Sequence, residues 1–199
     1  MKLSLILFLI FSKLFWGHLS IAWAQHFQQA FQSYKSGDYV TSSREWRKLA
    51  EQGDARAQFF LGYSYIEEIG VPQLYEEAVW WYAKAAEQGH PEAQHNLATM
   101  YYSGLGVSQD YRRAAKWFLA AAEQGLAEAQ HNLGTMHGTG KGMSENNLIA
   151  YMWYTIAASN GYQVAEDNLK TLALKLNSTQ ILKAKQLAEE CIDKKYKGC

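Results

Sequence analysis

The sequence predicts an all-α fold, an α-solenoid of stacked antiparallel helix pairs, and three observations carry that prediction. The first is self-similarity at a constant step of 36 residues: Ala50-Glu51-Gln52-Gly53 returns as Ala86-Glu87-Gln88-Gly89, Ala122-Glu123-Gln124-Gly125 and Ala158-Ser159-Asn160-Gly161. A period of that length marks a supersecondary unit that buries its apolar face only against copies of itself. The second is spacing within each unit. Ala93, Leu97 and Tyr101 recur at i, i+4 and i+8, and Ala114, Trp117, Phe118 and Ala121 share one face of the next segment. The third is composition: 48% apolar residues and only two prolines in 199 residues exclude disordered and collagenous chains. Seven Trp and thirteen Tyr require small residues for their rings to pack against, as Ala78 and Ala85 offer Trp81 and Tyr82.

Residues 1–24 read as an export leader. Met1-Lys2 opens an apolar run through Phe11, and Ala22-Trp23-Ala24 sets small residues where a signal peptidase needs them, which predicts cleavage after Ala24. Lys13 and His18 interrupt the run and argue against a retained membrane anchor. No later apolar run approaches the roughly 20 residues that span a bilayer, so no stable membrane insertion is expected after leader removal.

Residues 25–161 form the solenoid. The segment 25–53 is a short helix pair, in which Tyr34-Lys35-Ser36-Gly37 matches Tyr101-Tyr102-Ser103-Gly104 but Asp38-Tyr39 follows at once, so the loop is shortened and the helices kept. Full units follow at 54–89, 90–125 and 126–161. Asp54 is a natural N-cap, Gly89 and Gly125 suit helix termination, and Pro91 suits a first helical position. Residues 162–199 form C-terminal capping helices and a tail. There Asn177 opens a last helix with Gln180 placed to reach back, and an Ile181, Leu182, Leu187 stripe is set among Lys and Glu as far as about Lys195.

Charge excludes one class of partner. Nineteen basic residues balance nineteen acidic ones, and removing the leader takes two lysines and no acid, so the remaining chain carries about −2. That is no electrostatic footprint for nucleic acid.

Several motifs resemble chemistry without supplying it. Gly138-Thr139-Gly140-Lys141-Gly142 suggests a phosphate loop, but Thr135 stands where its first glycine belongs and Gly142 where its hydroxyl belongs. Gly140 and Gly142 are the repeat equivalents of Gly104 and Gly106, which predicts a turn. His95 and His131 share a repeat position, yet no Cys or acid completes a metal set with recognisable spacing, so they are expected to be duplicated polar surface positions, with no metal or cofactor. Glu67, Glu68, Glu76 and Glu77 are the densest acids and read as a solvated rim. Asn177-Ser178-Thr179 matches a glycosylation sequon that the helix cap already explains. No nucleophile elbow or cysteine with an obvious base is present, so no catalytic residue is expected. Cys191 and Cys199, an even pair in an exported chain, are expected to form a disulfide.

Ala-Gln-x-x-Leu-Gly/Ala, Tyr-x-x-Gly-x-Gly-Val, Asp-Tyr-x-x-Ala, Trp-Tyr/Phe and Ala-Ala-Glu-Gln-Gly, read from Ala93 to Gly125, resemble the Sel-type repeat, a relative of the tetratricopeptide repeat. The resemblance covers most of 25–161. Two departures stand at the last unit, where His137 replaces Tyr and Ser159-Asn160 replace Glu-Gln. It implies a right-handed α-solenoid of stacked antiparallel helix pairs, closed by a C-terminal capping helix, that works as a non-enzymatic scaffold or adaptor in an envelope or secretory compartment. Such repeats share no catalytic residues. In tetratricopeptide-like stacks the first helix of each pair lines the concave wall. Helical rotation then places His95, Thr99 and Tyr102 opposite the Ala93 and Leu97 face, with Phe59, Tyr63 and Ile66 before them and His131, Thr135 and Gly138 after. These residues are expected to form a track that binds a protein or peptide. The expected compartment is the periplasm or the exterior; the competing function, an exported hydrolase of cell-wall material, would need a carboxylate pair or metal cluster in a cleft.

Overall fold

The computed structural model describes residues 24–199, and every regular element among them is helical. Residues 1–23, which carry nearly all of the expected leader, lie outside the described residues. Helix α1 covers 24–35, followed by α2 (Tyr39–Glu51), α3 (Ala55–Ile66), α4 (Tyr75–Glu87), α5 (Pro91–Ser103), α6 (Tyr111–Ala122), α7 (Ala127–Thr139), α8 (Asn147–Ser159), α9 (Val164–Ala173) and α10 (Ser178–Asp193). The chain gathers into two compact units, Met1–Leu74 and Tyr75–Cys199. In the first, α2 packs on α3; in the second each helix from α4 to α9 packs on its neighbour in sequence, and α10 returns to α8.

Short polar side chains start most of these helices. Asp38, Asp54, Asp110 and Asn146 accept from backbone N–H groups two or three residues ahead, and Asn177 with Gln180 completes a reciprocal capping box. Each such cap is worth about 1 kcal/mol. Asp54 is buried, which opposes its charge, but bonds from Arg56 and from the Ala57 and Arg56 backbones hold its carboxyl below the usual range. His90 caps α5 through Nδ1, 3.4 Å from the Ala93 nitrogen, with Pro91 at the first helical position.

The repeated sequence letters have structural causes. The Gln of each Ala-Gln pair is buried and donates to the Ala carbonyl eight residues earlier: Gln58 to Ala50, Gln94 to Ala86, Gln130 to Ala122, at 3.1–3.2 Å. Within the second unit the neighbouring repeat completes the arrangement, as Gln124 Nε2 donates to Gln94 Oε1 at 2.8 Å and Asn160 Nδ2 to Gln130 Oε1 at 2.8 Å. The departure from Glu-Gln at Ser159-Asn160 therefore keeps the donor. Gly106 and Gly142 sit at positive φ, 66° and 74°, and a Cβ on either would overlap the backbone at Tyr75 or Tyr111, the first residue of the helix that follows the preceding loop. Rings then fill what alanines leave open. Trp81 and Tyr82 are buried beside Ala78 and Ala85, and a second cluster joins Phe118, Leu133, Met136, Trp153 and Ile156 to Ala114, Ala121 and Ala129.

The last helix corrects the expected stripe. Leu182 is 59% exposed, whereas Ala184, Ala188 and Cys191 are buried and Ile181 and Leu187 partly so. Ile181, Ala184, Ala188 and Cys191 lie at spacings of three and four, and Leu182 falls off that face. The helix also stops at Asp193, because Lys195 and Tyr196 take positive φ. Cys191 and Cys199 are bonded, with Cα atoms 5.6 Å apart. The tail they close is also held by side chains: Tyr196 donates to Asn160 Oδ1 at 3.1 Å, and the Gly198 N–H to Glu123 Oε1 at 3.2 Å.

Candidate functional site

Three track residues, Phe59, Tyr63 and Ile66, lie half-buried on α3 in the first unit. There Phe59 meets Phe60 edge-on at 5.2 Å, and Phe60 stacks on Trp46 at 4.8 Å. Burial, together with the neighbouring Tyr34, raises the pKa of the Tyr63 phenol. In the second unit His95, Thr99 and Tyr102 lie on α5, and His131 and Thr135 on α7. The structure brings Thr99, Tyr102, His131 and Thr135 to one cavity of about 250 Å³, completed by Phe118 and Asn132. Thr135 also borders a second pocket of about 140 Å³ between α7, α8 and α9, lined by Gly138, Thr139, Asn147, Tyr154, Asn168, Thr171 and Lys175 among others.

His95 and His131 are not the surface positions expected of them. Each ring is half-buried against an aromatic neighbour, His95 at 5.5 Å from Phe118 and His131 at 5.3 Å from Tyr154 and 5.0 Å from Tyr162. Together they belong to a hydrogen-bonded ladder that runs through two repeats and on to α9. Asn168 Nδ2 donates to His131 Nε2 (2.6 Å), His131 Nδ1 donates to Asn132 Oδ1 (3.4 Å), Asn132 Nδ2 donates to His95 Nε2 (3.0 Å), and His95 Nδ1 donates to Asn96 Oδ1 (3.2 Å). A carbonyl oxygen only accepts, so each Nδ1 carries the proton, and each Nε2, facing an amide N–H, must be bare. Both imidazoles are therefore neutral. Burial lowers their pKa in both cases; the Asn96 contact and the charge of Glu128 oppose this at His95, and the Asn132 contact opposes it at His131.

The ladder determines what the cavity can offer. His131 and Asn132 spend their polar atoms on each other, on His95 of the preceding repeat and on Asn168 of α9. Thr99 Oγ1 donates to the His95 carbonyl at 3.0 Å, Thr135 Oγ1 bonds the Tyr154 hydroxyl at 3.0 Å, and the Tyr102 hydroxyl accepts from Lys141 Nζ at 2.9 Å. Every polar side chain of the wall thus makes at least one hydrogen bond within the protein, and the Phe118 and Tyr102 rings supply apolar surface beside them. Lys141 itself lies over the Tyr102 and Tyr111 rings, 4.9 and 5.2 Å from their centroids. Sequence reasoning found four of the six wall residues and missed Phe118 and Asn132. The recurrence of Asn96, Asn132 and Asn168 at the 36-residue step was the signal available for the second of these.

The remaining motifs take structural places. Gly140 and Gly142 form the positive-φ turn after α7. Glu67, Glu68, Glu76 and Glu77 are exposed. Among the described residues no group of three or more His, Cys, Asp or Glu is placed to hold a metal ion, and no helix is long and apolar enough to cross a membrane.

Consecutive helix pairs closed by a returning helix, with ring-lined cavities between the first helices of successive pairs, define an α-solenoid of the tetratricopeptide-like class. Its 36-residue unit narrows the class to one family. The sequence model of the Sel1 repeat matches residues 55–90, 91–126 and 127–162, and the chain belongs to the Sel1 repeat family. Solved structures agree. A Sel1 repeat protein from Oxalobacter formigenes is 34% identical with a TM-score of 0.68, over 71% of this chain and 58% of that one. A protective antigen of uropathogenic Escherichia coli with an SLR fold is 26% identical with a TM-score of 0.54, over 87% of this chain and 47% of that one. Cysteine-rich protein B of Helicobacter pylori, 19% identical with a TM-score of 0.54, shares the fold over 65% of this chain and 96% of that one. The chain thus spans less than two thirds of the length of the first two. No curated protein matches it.

Proposed function

We propose that this chain is an exported, non-enzymatic adaptor that binds a protein or peptide on the inner wall formed by the first helices of its repeats. The Sel1 repeat fold is an interaction scaffold, which supports the class of job. The observation that carries the rest is the cavity between α5 and α7, where four residues converge that lie opposite the core stripe, on the side that the resemblance to tetratricopeptide-like stacks assigns to the inner wall. Ring-lined concavities with satisfied polar groups are the sites at which an aromatic or aliphatic anchor of a partner contributes most. Export is supported by the Cys191–Cys199 bond, since such bonds persist in oxidising compartments. Assembly or signalling in the envelope is the role this placement favours.

A photo-crosslinker at Thr99, which is exposed at the cavity mouth, and another at Lys116, exposed on α6, test the reading in the native envelope. Crosslinking to a discrete partner from Thr99 but not from Lys116 is the expected result. Equal products from both positions, or partner capture from Lys116 alone, overturn it. The intact mass of the exported chain is expected to begin at Gln25; a soluble product that keeps the leader contradicts the localisation.

A further inference from the structure

We infer that the occupant of this wall is an extended peptide segment pairing a large apolar side chain, seated in the α5–α7 cavity, with a carboxylate side chain two to four residues away. The inference rests on the reading of that face as the binding surface and adds the chemistry of the partner.

The apolar half follows from the engaged polar groups. Thr99, Tyr102, His131, Asn132 and Thr135 already bond within the protein, so a polar group entering between them gives up its water for side chains whose hydrogen bonds are largely committed. A side chain with nothing to satisfy loses nothing by entering. The volume is adequate: an engineered apolar cavity of roughly 150 Å³ takes up benzene, and this one measures about 250 Å³. A phenyl, indole or leucyl group fits.

The acidic half follows from charge. No carboxylate lines either cavity, whereas each has a lysine beside it. Lys141 reaches over Tyr102 at the first, and the exposed Lys175 borders the second among the Thr135, Thr139, Thr171 and Asn168 side chains. The acid nearest in sequence on α9, Asp167, is already paired with Lys170 at 2.9 Å. Two cations with no carboxylate in the walls between them are complementary to an anionic side chain of the partner. The spacing comes from the repeat. The two cavities meet at Thr135 and open on either side of α7, a helix whose diameter is on the order of 10 Å, and an extended chain covers about 3.3 Å per residue. Apolar anchor and carboxylate are therefore separated by two to four residues.

The test is a selection of randomised 12-residue displayed peptides on the immobilised full chain and on two variants. One is Thr99→Trp, which fills the cavity mouth from an exposed helical position; the other is Lys141→Glu with Lys175→Glu. Circular dichroism melts check that each variant is folded. On the parent chain the selected peptides are expected to carry Phe, Trp or Leu with Asp or Glu two to four residues away, and individual peptides are expected to lose at least tenfold in affinity on Thr99→Trp. The charge-reversed variant is expected to enrich Lys or Arg at the same offset. Peptides lost on Thr99→Trp but without an acidic preference on the parent overturn this inference and leave the inner-wall reading intact. Peptides that bind the parent and the filled variant equally, or no enrichment on any of the three, overturn both.

Discussion

The same two repeat positions are filled differently in the two units of the molecule. In the first, Phe59 and Phe60 occupy them, and Phe60 joins Trp46, Phe27 and Phe31 in a ring cluster with centroids 4.8, 5.7 and 5.6 Å away. In the second, His95-Asn96 and His131-Asn132 occupy them and form a directional ladder. The backbone is the same helix with the same step. Ring packing is tolerant in orientation and indifferent to pH, whereas the ladder fixes one register and requires neutral imidazoles. One repeat position is thus held by two kinds of force in the two units, and the variants below separate them.

Trp46→Ala has the largest expected effect. The ring is wholly buried, and its deletion is expected to cost roughly 3 to 5 kcal/mol in urea denaturation with no change in acid sensitivity. An effect below about 1 kcal/mol would show that the cluster collapses around the gap. The second unit has a covalent closure. Cys191→Ser with Cys199→Ser is expected to remove about 2 to 3 kcal/mol of constraint on the tail by the chain-entropy account, read as faster hydrogen exchange at the end of α10 with α5 and α7 unchanged. On the parent chain, thiol labelling without reductant is expected to modify neither cysteine. Asn132→Leu breaks the ladder at its middle and leaves His95 Nε2 and His131 Nδ1 unpartnered, for an expected loss of roughly 1 to 3 kcal/mol. Asn96→Leu removes only the terminal acceptor and is expected to cost less; equal losses would mean that the ladder does not act as a chain.

The smallest effect is pH dependence, and its sign distinguishes the two units. Burial lowers the folded pKa of His95 and His131 below the ordinary value of 6.5. Their neutral-state stabilisation is therefore fully present above about pH 6.5 and is lost as pH falls from there through the folded values, because the unfolded chain takes up protons that the folded one refuses. Around His95 the charged neighbour is Glu128 on α7, which opposes the shift; around His131 the titratable neighbours are the phenols of Tyr154 and Tyr162. Replacing both histidines by Phe is expected to flatten the dependence of the urea midpoint between pH 7.5 and 5. His137, also lowered by burial, leaves a residual slope. An undiminished slope in the double variant would remove the ladder from the account.

Much of the fold was legible because a repeat states its contacts several times over. The step of 36, the capping residues Asp54, Asn177 and Gln180, and the cysteine pair all have local causes that a sequence displays. The candidate wall was legible only in part. Helical rotation places His95 and Thr99 on one side of α5, but it does not say that the next repeat brings Asn132 against that side, 37 residues along the chain. A polar residue opposite a core stripe reads as solvated until its stacking partner is known. Leu182 misled in the opposite sense, since a leucine near a stripe reads as buried although Ala184 and Ala188 form the contact.

The ladder also bears on how such a chain changes length. His95 and His131 each accept from the amide one 36-residue step further along the chain, Asn132 and Asn168, always in the same sense. Duplicating 36 residues in frame, from Pro91 to Leu126, would seat a new ring beside an existing amide and a new amide beside an existing ring, with no junction to invent. Length is therefore heritable in whole units within this part of the chain, because an insertion that is not a multiple of 36 residues takes ring and amide out of register.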